Sequence, residues 1–243
     1  MSNILEGKNL DYSYGDKQIL KNVTVNVEMG TIVSVLGASG VGKSTLFNVL
    51  SGLYKPTAGS IVYNGEDITG KPGKIGYMLQ KDLLLPHLTI EDNVSLPLVL
   101  RKMKKSEARE KVSGLFQIFD LEGCQKMYPS QMSGGMKQRA ALLRTYVASS
   151  DLVLLDEPFS ALDAITTSKM HEWFKGIVAK VGLSAFIVTH DVDEAILLSD
   201  KIYILGGRPG EVVRELNIKK TDDFYLSPEF VEYKKEILGL LDI

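Results

Sequence analysis

The chain has 243 residues, of which 44% are hydrophobic and 24% charged, so it can bury a proper core and is neither disordered nor collagen-like; its length suits one large domain, or one domain with a lobe. Lysine and arginine number 28 against 30 aspartates and glutamates, a net charge of −2, so the basic excess with which a nucleic-acid binder neutralises phosphates is missing. A single cysteine, Cys124, rules out an intramolecular disulfide and suits a reducing cytosol, the opening Met1–Gly15 lacks the pattern of a signal peptide, and no apolar run reaches the about 18 residues that span a bilayer.

In chain order, the segment up to about Gly30 reads as antiparallel strands packed beside a core, Thr24–Val27 among them. Ile32–Leu36 reads as a strand, Lys43–Leu50 as a helix, and Ser60–Tyr63 and Lys74–Leu79 as further strands. From about Leu88 to Ala148 the strand signal gives way to a helical pattern, with a basic stretch at Arg101–Lys105, which predicts a helical lobe inserted into a sheet domain. Beyond the lobe, strands at Leu152–Leu155, Ala185–Thr189, Lys201–Leu205 and Glu211–Arg214 frame helices at Ala164–Val181 and Val192–Ser199. Pro228–Leu241 spaces Phe230, Val231, Ile237, Leu238 and Leu241 as a short amphipathic helix. Several of these strands are almost wholly apolar, as strands buried on both faces of a parallel sheet are, and their alternation with helices predicts an α/β core.

Gly37-Ala-Ser39-Gly40-Val-Gly42-Lys43-Ser44-Thr45 follows the apolar strand Ile32–Leu36 and opens a helix, and it satisfies the pattern G-x-x-x-x-G-K-[ST]. Glycines at this spacing let backbone amides curl around phosphate oxygens, and the helix beginning near Lys43 turns its positive end toward them. Lys43 would reach the β- and γ-phosphates of a nucleotide, and the Ser44 hydroxyl would coordinate Mg²⁺. Downstream, Leu152-Val-Leu-Leu-Asp156-Glu157-Pro158 is an apolar strand that ends in two adjacent acids, at the kind of strand end where a parallel sheet builds its sites. Asp156 can hold Mg²⁺ directly or through water, while Glu157 can act as general base on the attacking water.

Further elements, in their order along the chain, resemble those of the ATP-binding cassette (ABC) ATPases. Ser133-Gly134-Gly135-Met-Lys-Gln-Arg139 is similar to the family's signature sequence, and Gln80, at the end of a strand, resembles its Q-loop glutamine. Ser160-Ala-Leu-Asp163 resembles its D-loop, His190 its switch histidine, and Tyr14 lies where an aromatic residue sits under adenine, with Tyr12 competing for that place. The likeness covers roughly residues 10 to 210. It implies a single domain: a P-loop NTPase (RecA-like) parallel-sheet core with an N-terminal antiparallel β subdomain over residues 1–82 and 147–243, and an inserted helical subdomain over 83–146. It also implies that Ser133 and the amides of Gly134 and Gly135 meet a γ-phosphate held by a second copy's P-loop, with Asp163 at that interface. Gln80 would touch Mg²⁺ and the helical lobe, and His190 the γ-phosphate. Met132 and Met136 stand where the commonest signature has Leu and Gln; the first swap is near-isosteric, the second removes a polar contact.

Finer wording is similar to the branch that imports nitrate, sulfonates and taurine. It lies in Leu83-Leu-Leu-Pro-His-Leu-Thr89, Glu91-Asp-Asn-Val-Ser-Leu-Pro97, Tyr128-Pro-Ser-Gln-Met-Ser-Gly-Gly135, Asp156-Glu-Pro-Phe-Ser-Ala-Leu-Asp163, Thr189-His-Asp-Val-Asp-Glu-Ala195 and Arg208-Pro-Gly210. Arg144-Thr-Tyr146 and Gly207-Arg-Pro-Gly210 lean toward the transporters of thiamine-precursor pyrimidines within that branch. The resemblance therefore implies an ATPase subunit on the cytoplasmic face of the membrane. Its partners would be a second copy of itself, membrane permease subunits and, indirectly, a substrate-binding protein. Leu83–Leu88 is the expected groove for a permease helix, with lobe core as the competing reading. A soluble ABC ATPase, such as a cofactor-assembly factor, is the alternative; the short span between Thr45 and Ser133 leaves no room for the long coiled coils of the DNA-repair members. His171, Trp173 and Cys124 read as structural, His87 has no second metal ligand nearby, and Lys102, Lys104 and Lys105 read as a solvated face.

Overall fold

The computed structural model describes residues 2–220 and 224–241 and resolves into two compact units, Met1–Lys74 with Ser184–Ile243, and Ile75–Leu183. The first unit opens with β1 (Asn3–Tyr14) and β2 (Lys17–Glu28), joined through the two-residue turn Gly15–Asp16. Next come β3 (Ile32–Gly37), α1 (Lys43–Leu50), β4 (Ala58–Tyr63) and the short β5 (Glu66–Asp67). β2, β1, β4 and β5 pair in that order as an antiparallel sheet. On β2, Val23, Val25 and Val27 are buried while Thr24 between them is exposed and Asn26 half-buried, the period-two pattern of a half-buried strand.

The second unit holds β6 (Gly76–Met78), α2 (Ile90–Leu100), α3 (Lys105–Ser113), α4 (Leu115–Ile118), α5 (Gly134–Ala148), β7 (Leu152–Asp156) and α6 (Ala164–Val181). β6 and β7 run parallel, with Met78 opposite Leu155, so Gln80 and Asp156 leave this pair at the same, carboxyl end. α2 packs against both α3 and α5, around buried Val94, Ala108, Val112, Phe116, Phe119, Ala141 and Leu143. β6 is shorter than the predicted Lys74–Leu79, and it passes close to α5, where a Cβ at Gly76 would lie 2.6 Å from the Thr145 carbonyl oxygen.

The chain returns to the first unit with β8 (Ser184–Val188), α7 (Val192–Leu198), β9 (Lys201–Gly206), β10 (Glu211–Asn217) and α8 (Pro228–Leu240). β3 lies between β8 and β9 and is parallel to both, while β10 pairs antiparallel with β9. Every residue of β3 and β8 is buried, Ser34 and Ser184 included, as their almost wholly apolar runs predict. Phe47 of α1 meets Phe186 of β8 at 5.3 Å between ring centroids. A second apolar cluster joins Leu36, Ile196, Ile202, Ile204 and Leu216 to Phe230 and Ile237 of α8, so the C-terminal helix is part of the core, each such side chain contributing about 1.5–3 kcal/mol by its burial.

Among the described residues, five helices begin on side-chain caps that the residue types announce: Thr89, Ser133, Asp163, Asp191 and Ser227 each accept a hydrogen bond from the amide three residues on. These caps fix where α2, α5, α6, α7 and α8 start, and two of the five belong to the candidate site.

Candidate functional site

The phosphate loop leaves the carboxyl end of β3. Gly42 takes a φ of 112°, a conformation that side-chain-bearing residues rarely adopt, and this turns the chain so that α1 starts at Lys43. The first turn of α1 carries no acidic residue of its own, which leaves its positive end suited to an anion. The Lys43 ammonium donates to the carbonyls of Gly37 at 2.7 Å and Ala38 at 3.1 Å, which folds it back over the loop it belongs to. Ser39, Gly40 and Ser44 are exposed, and Thr45 is half-buried.

His190 stands one residue past Thr189, whose amide bonds to Val35 of β3 at 3.3 Å. It is exposed and follows the strand next to the one that carries the phosphate loop, so parallel pairing places both at carboxyl ends of adjacent strands. In the same unit Tyr12, Tyr14 and Tyr54 form a cluster. Tyr12 stacks on Tyr54 (5.4 Å, 11°), and Tyr14 meets both edge-on. One face of Tyr12 is thus covered, whereas Tyr14 is 49% exposed, which separates the two competing aromatics.

In the second unit, Asp156 ends β7 and is half-buried, as is Glu157. Glu157 has a φ of 46°, in the left-handed region, and it precedes a proline, a place where the chain is ordinarily extended. Ser160 holds this turn: its amide and hydroxyl both donate to the Glu157 carbonyl, at 3.3 and 3.0 Å. The Gln80 amide nitrogen donates to a Glu157 carboxylate oxygen at 2.9 Å and reaches the Ser160 hydroxyl at 3.4 Å. A glutamine and a glutamate 77 residues apart in sequence therefore share one hydrogen bond.

Ser133 caps α5 by accepting from the Met136 amide at 3.3 Å, so the Met136 position contributes its backbone to the cap whatever its side chain. A Cβ at Gly134 would meet the Leu162 side chain at 3.2 Å, and one at Gly135 the Thr166 side chain at an ordinary contact distance of 3.4 Å. Asp163 caps α6 through the Thr166 amide (3.0 Å) and hydroxyl (2.6 Å), and these bonds hold its carboxyl below the usual range. Signature and D-loop residues are thus brought together within one unit. Met132, the other departure from the commonest signature, is buried.

A family model described as ABC transporter matches residues 20–160, more than half of the chain and the stretch that holds the phosphate loop, Gln80, the signature and the two acids. The chain belongs to the ABC transporter family. The formylaminopyrimidine import ATP-binding protein ThiZ of Halalkalibacterium halodurans is 41% identical over 98% of this cassette and 96% of its own length. The nitrate import ATP-binding protein NrtD of Synechocystis is 37% identical, over 93% and 89%. Among solved structures, CbiO1 of Clostridium perfringens, part of the ABC transporter complex CbiONQ, superposes with a TM-score of 0.81 at 26% identity, over the whole cassette and 95% of that chain. A dimeric ATP-binding cassette in a post-hydrolysis state, bound to ADP and Pi, gives 0.72 at 32% identity, over 89% of this cassette and all of that chain. The cassette is an α/β P-loop NTPase and an ABC-type ATPase of the nitrate, sulfonate and taurine importer branch.

Three residues that stand in quoted motifs of the cassette gain contacts that the motifs do not announce. The Arg144 guanidinium of α5 donates to the carbonyls of Asp82 and Leu83, at 2.5 and 2.8 Å, just beyond Gln80; its burial lowers its pKa. Asn93 of α2 is fully buried and donates to the carbonyls of Leu85, Leu88 and Thr89 while accepting from the Leu85 amide at 2.7 Å. Ser160 is the third. The acceptors are all backbone carbonyls, which leave no mark in a sequence. His171 and Trp173 are packing residues: His171 meets Phe159 edge-on, and Trp173 lies under Arg139. Cys124 is buried, which raises its thiol pKa. Lys102 and Lys104 are not buried, but Lys105 pairs with Asp92 at 2.9 Å. No helix among the described residues is long and apolar enough to cross a membrane.

The donors expected for a cation are the Ser44 hydroxyl, the Gln80 amide oxygen and the Asp156 carboxylate, with no cluster of three His, Cys, Asp or Glu among the described residues. An all-oxygen set with one carboxylate suits Mg²⁺, which keeps several waters and takes the rest of its shell from substrate phosphates.

Proposed function

We propose that the cassette is the ATP-hydrolysing subunit of an importer for a small solute, docked peripherally on the cytoplasmic face of the membrane against permease subunits and fed by a substrate-binding protein. The observation that carries the reading is a continuous run of contacts in the second unit. Glu157 bonds to Gln80, and the segment just after Gln80 is fastened to α5 by Arg144 and to α2 by Asn93. A change at the candidate base is thereby passed to Leu83–Leu88, of which Leu83 is 52% exposed and Leu84 only 7%, so the segment offers one face outward and packs the other. This exposed face is the surface offered to a permease helix.

In this reading the amides of Gly40 and Gly42 and the Lys43 ammonium bind the β- and γ-phosphates of ATP, and Tyr14 stacks on adenine. Ser44, Gln80 and Asp156 would hold Mg²⁺, which would supply charge neutralisation on the phosphate oxygens. Glu157 takes a proton from water as the water oxygen attacks the γ-phosphorus in line, and the bond to the β-phosphate oxygen breaks to leave ADP and phosphate. His190 positions the γ-phosphate. Ser133, Gly134 and Gly135 of each copy meet the nucleotide held by the other, with Asp163 at the joint.

The substrate class drawn from kinship is a thiamine-precursor pyrimidine, with nitrate-, sulfonate- or taurine-like solutes as the other members of the branch. ThiZ, at 41% identity over almost the entire chain, supports the first. The test is transport by vesicles carrying this cassette with a co-encoded permease and binding protein, assayed with formylaminopyrimidine, an alkanesulfonate, taurine and nitrate. ATP-driven uptake of the pyrimidine alone is expected. Uptake of a sulfonate, taurine or nitrate instead would reassign the substrate, and failure of the cassette to join any permease would favour a soluble ATPase.

A further inference from the structure

We infer that Gly210 is a positioning residue for the nucleotide: it seats the phosphate loop on the start of β2, so that the two hold ATP as one rigid piece. The inference rests on the phosphate-loop reading above and extends it to the motif Arg208-Pro-Gly210, which that reading leaves without a role. Gly210 closes the turn between β9 and β10, and it is buried. Its amide donates to the Ile19 carbonyl at 2.8 Å, and its own carbonyl accepts from the Lys21 amide at 3.0 Å, a short parallel bridge onto β2. On its other side stands the loop: a Cβ at Gly210 would lie 2.2 Å from the Val41 carbonyl oxygen. Gly210 needs no unusual φ, so the constraint is space alone.

Other contacts grip the loop from behind in the same manner. A Cβ at Gly37 would come within 2.7 Å of the Leu205 carbonyl, and one at Gly42 within 2.9 Å of the Leu20 side chain, whereas Gly40 has open space. Two of the loop's glycines therefore serve close packing, and Gly210 supplies the matching surface. A cleft of about 290 Å³ opens beside this junction, lined by Lys17, Ile19, Gly40, Val41, Arg208 and Pro209. Its walls come from β2, the loop and the turn, so a shift of the turn changes the shape of all three.

The test is steady-state ATPase kinetics of Gly210→Ala beside Gly239→Ala, a helix glycine with nothing within 4 Å of an added Cβ. Loss of loop seating removes binding that ground state and transition state share, so Gly210→Ala raises KM for ATP about tenfold with kcat within about twofold of wild type, and Gly239→Ala matches wild type. A folded Gly210→Ala with unchanged KM, or with kcat alone reduced, overturns the inference. Amide exchange on the unaltered protein decides the matter should Gly210→Ala not fold. A non-hydrolysable ATP analogue should slow exchange at the Gly210 and Lys21 amides along with those of residues 39–45. Slowing confined to 39–45 overturns the inference while keeping the phosphate-loop reading. No slowing at 39–45, together with unchanged ATP affinity of Lys43→Ala, would instead overturn the phosphate-loop reading itself.

Discussion

Glu157 sits in a backbone conformation that costs a side-chain-bearing residue about 1–3 kcal/mol, and the Ser160 bonds to its carbonyl are what hold it there. Ser160→Ala should therefore lower kcat several-fold with ATP affinity unchanged, read from steady-state kinetics and nucleotide titration; a loss of affinity instead would move Ser160 into the binding surface. Glu157→Gln keeps shape and the Gln80 contact but cannot accept a proton, so turnover should fall by at least about a hundredfold while ATP still binds, with a nucleotide-bound dimer accumulating in sedimentation. Lys43→Ala removes the charge set over the loop and should weaken ATP binding by about tenfold or more in the same titration. Lys43, Asp156 and Glu157 were legible in the sequence because each belongs to a motif whose spacing is local and whose chemistry admits few side chains. Gln80 by itself carries no such signal and became readable only through family order. Arg144 and Asn93 were not legible in their present roles, since they bind backbone carbonyls that any residue could supply.

At the scale of elements, the strand runs at Ile32, Leu152 and Ala185 and the helices at Lys43 and Ala164 were readable from apolar periodicity and caps, and the structure places them within a residue or two. The helical lobe was readable only in outline, because its helices are short and are held by polar contacts between them. The chief of these is Asp92 on α2, which is buried and bonded to Arg109 at 2.7 Å and Lys105 at 2.9 Å, both from α3. Burial alone would raise the Asp92 pKa, but the two cations prevail and it lies below its ordinary value. A depressed folded-state pKa means that the stabilisation is present above the unfolded value of about 3.9 and is lost as pH falls from there through the folded value. Asp92→Asn should thus destabilise the protein by about 1–2 kcal/mol in urea unfolding at pH 7, and the gap to wild type should narrow as pH is lowered below about 4. A gap that stays constant from pH 7 to 3 would show that Asp92 acts by shape alone.

For the whole molecule, family membership and a dimeric cassette of 32% identity with ADP and Pi make the assembly of two copies the central matter. The α5 amino end has Ser133 as its cap and two glycines behind it, so no side chain from those two positions covers its first amides. Ser133→Arg should leave ATP binding by the monomer intact yet abolish both dimer formation and hydrolysis; dimers of this variant in sedimentation with ATP would remove the α5 end from the interface. The account turns on each ATP needing the phosphate loop of one copy and the signature helix of another. The direct measurement is ATP turnover per protomer across a dilution series, with molecular mass recorded by light scattering at every concentration. Turnover per protomer that falls toward zero as the dimer dissociates is the predicted result, whereas a monomer hydrolysing ATP at an undiminished rate at every dilution would contradict it.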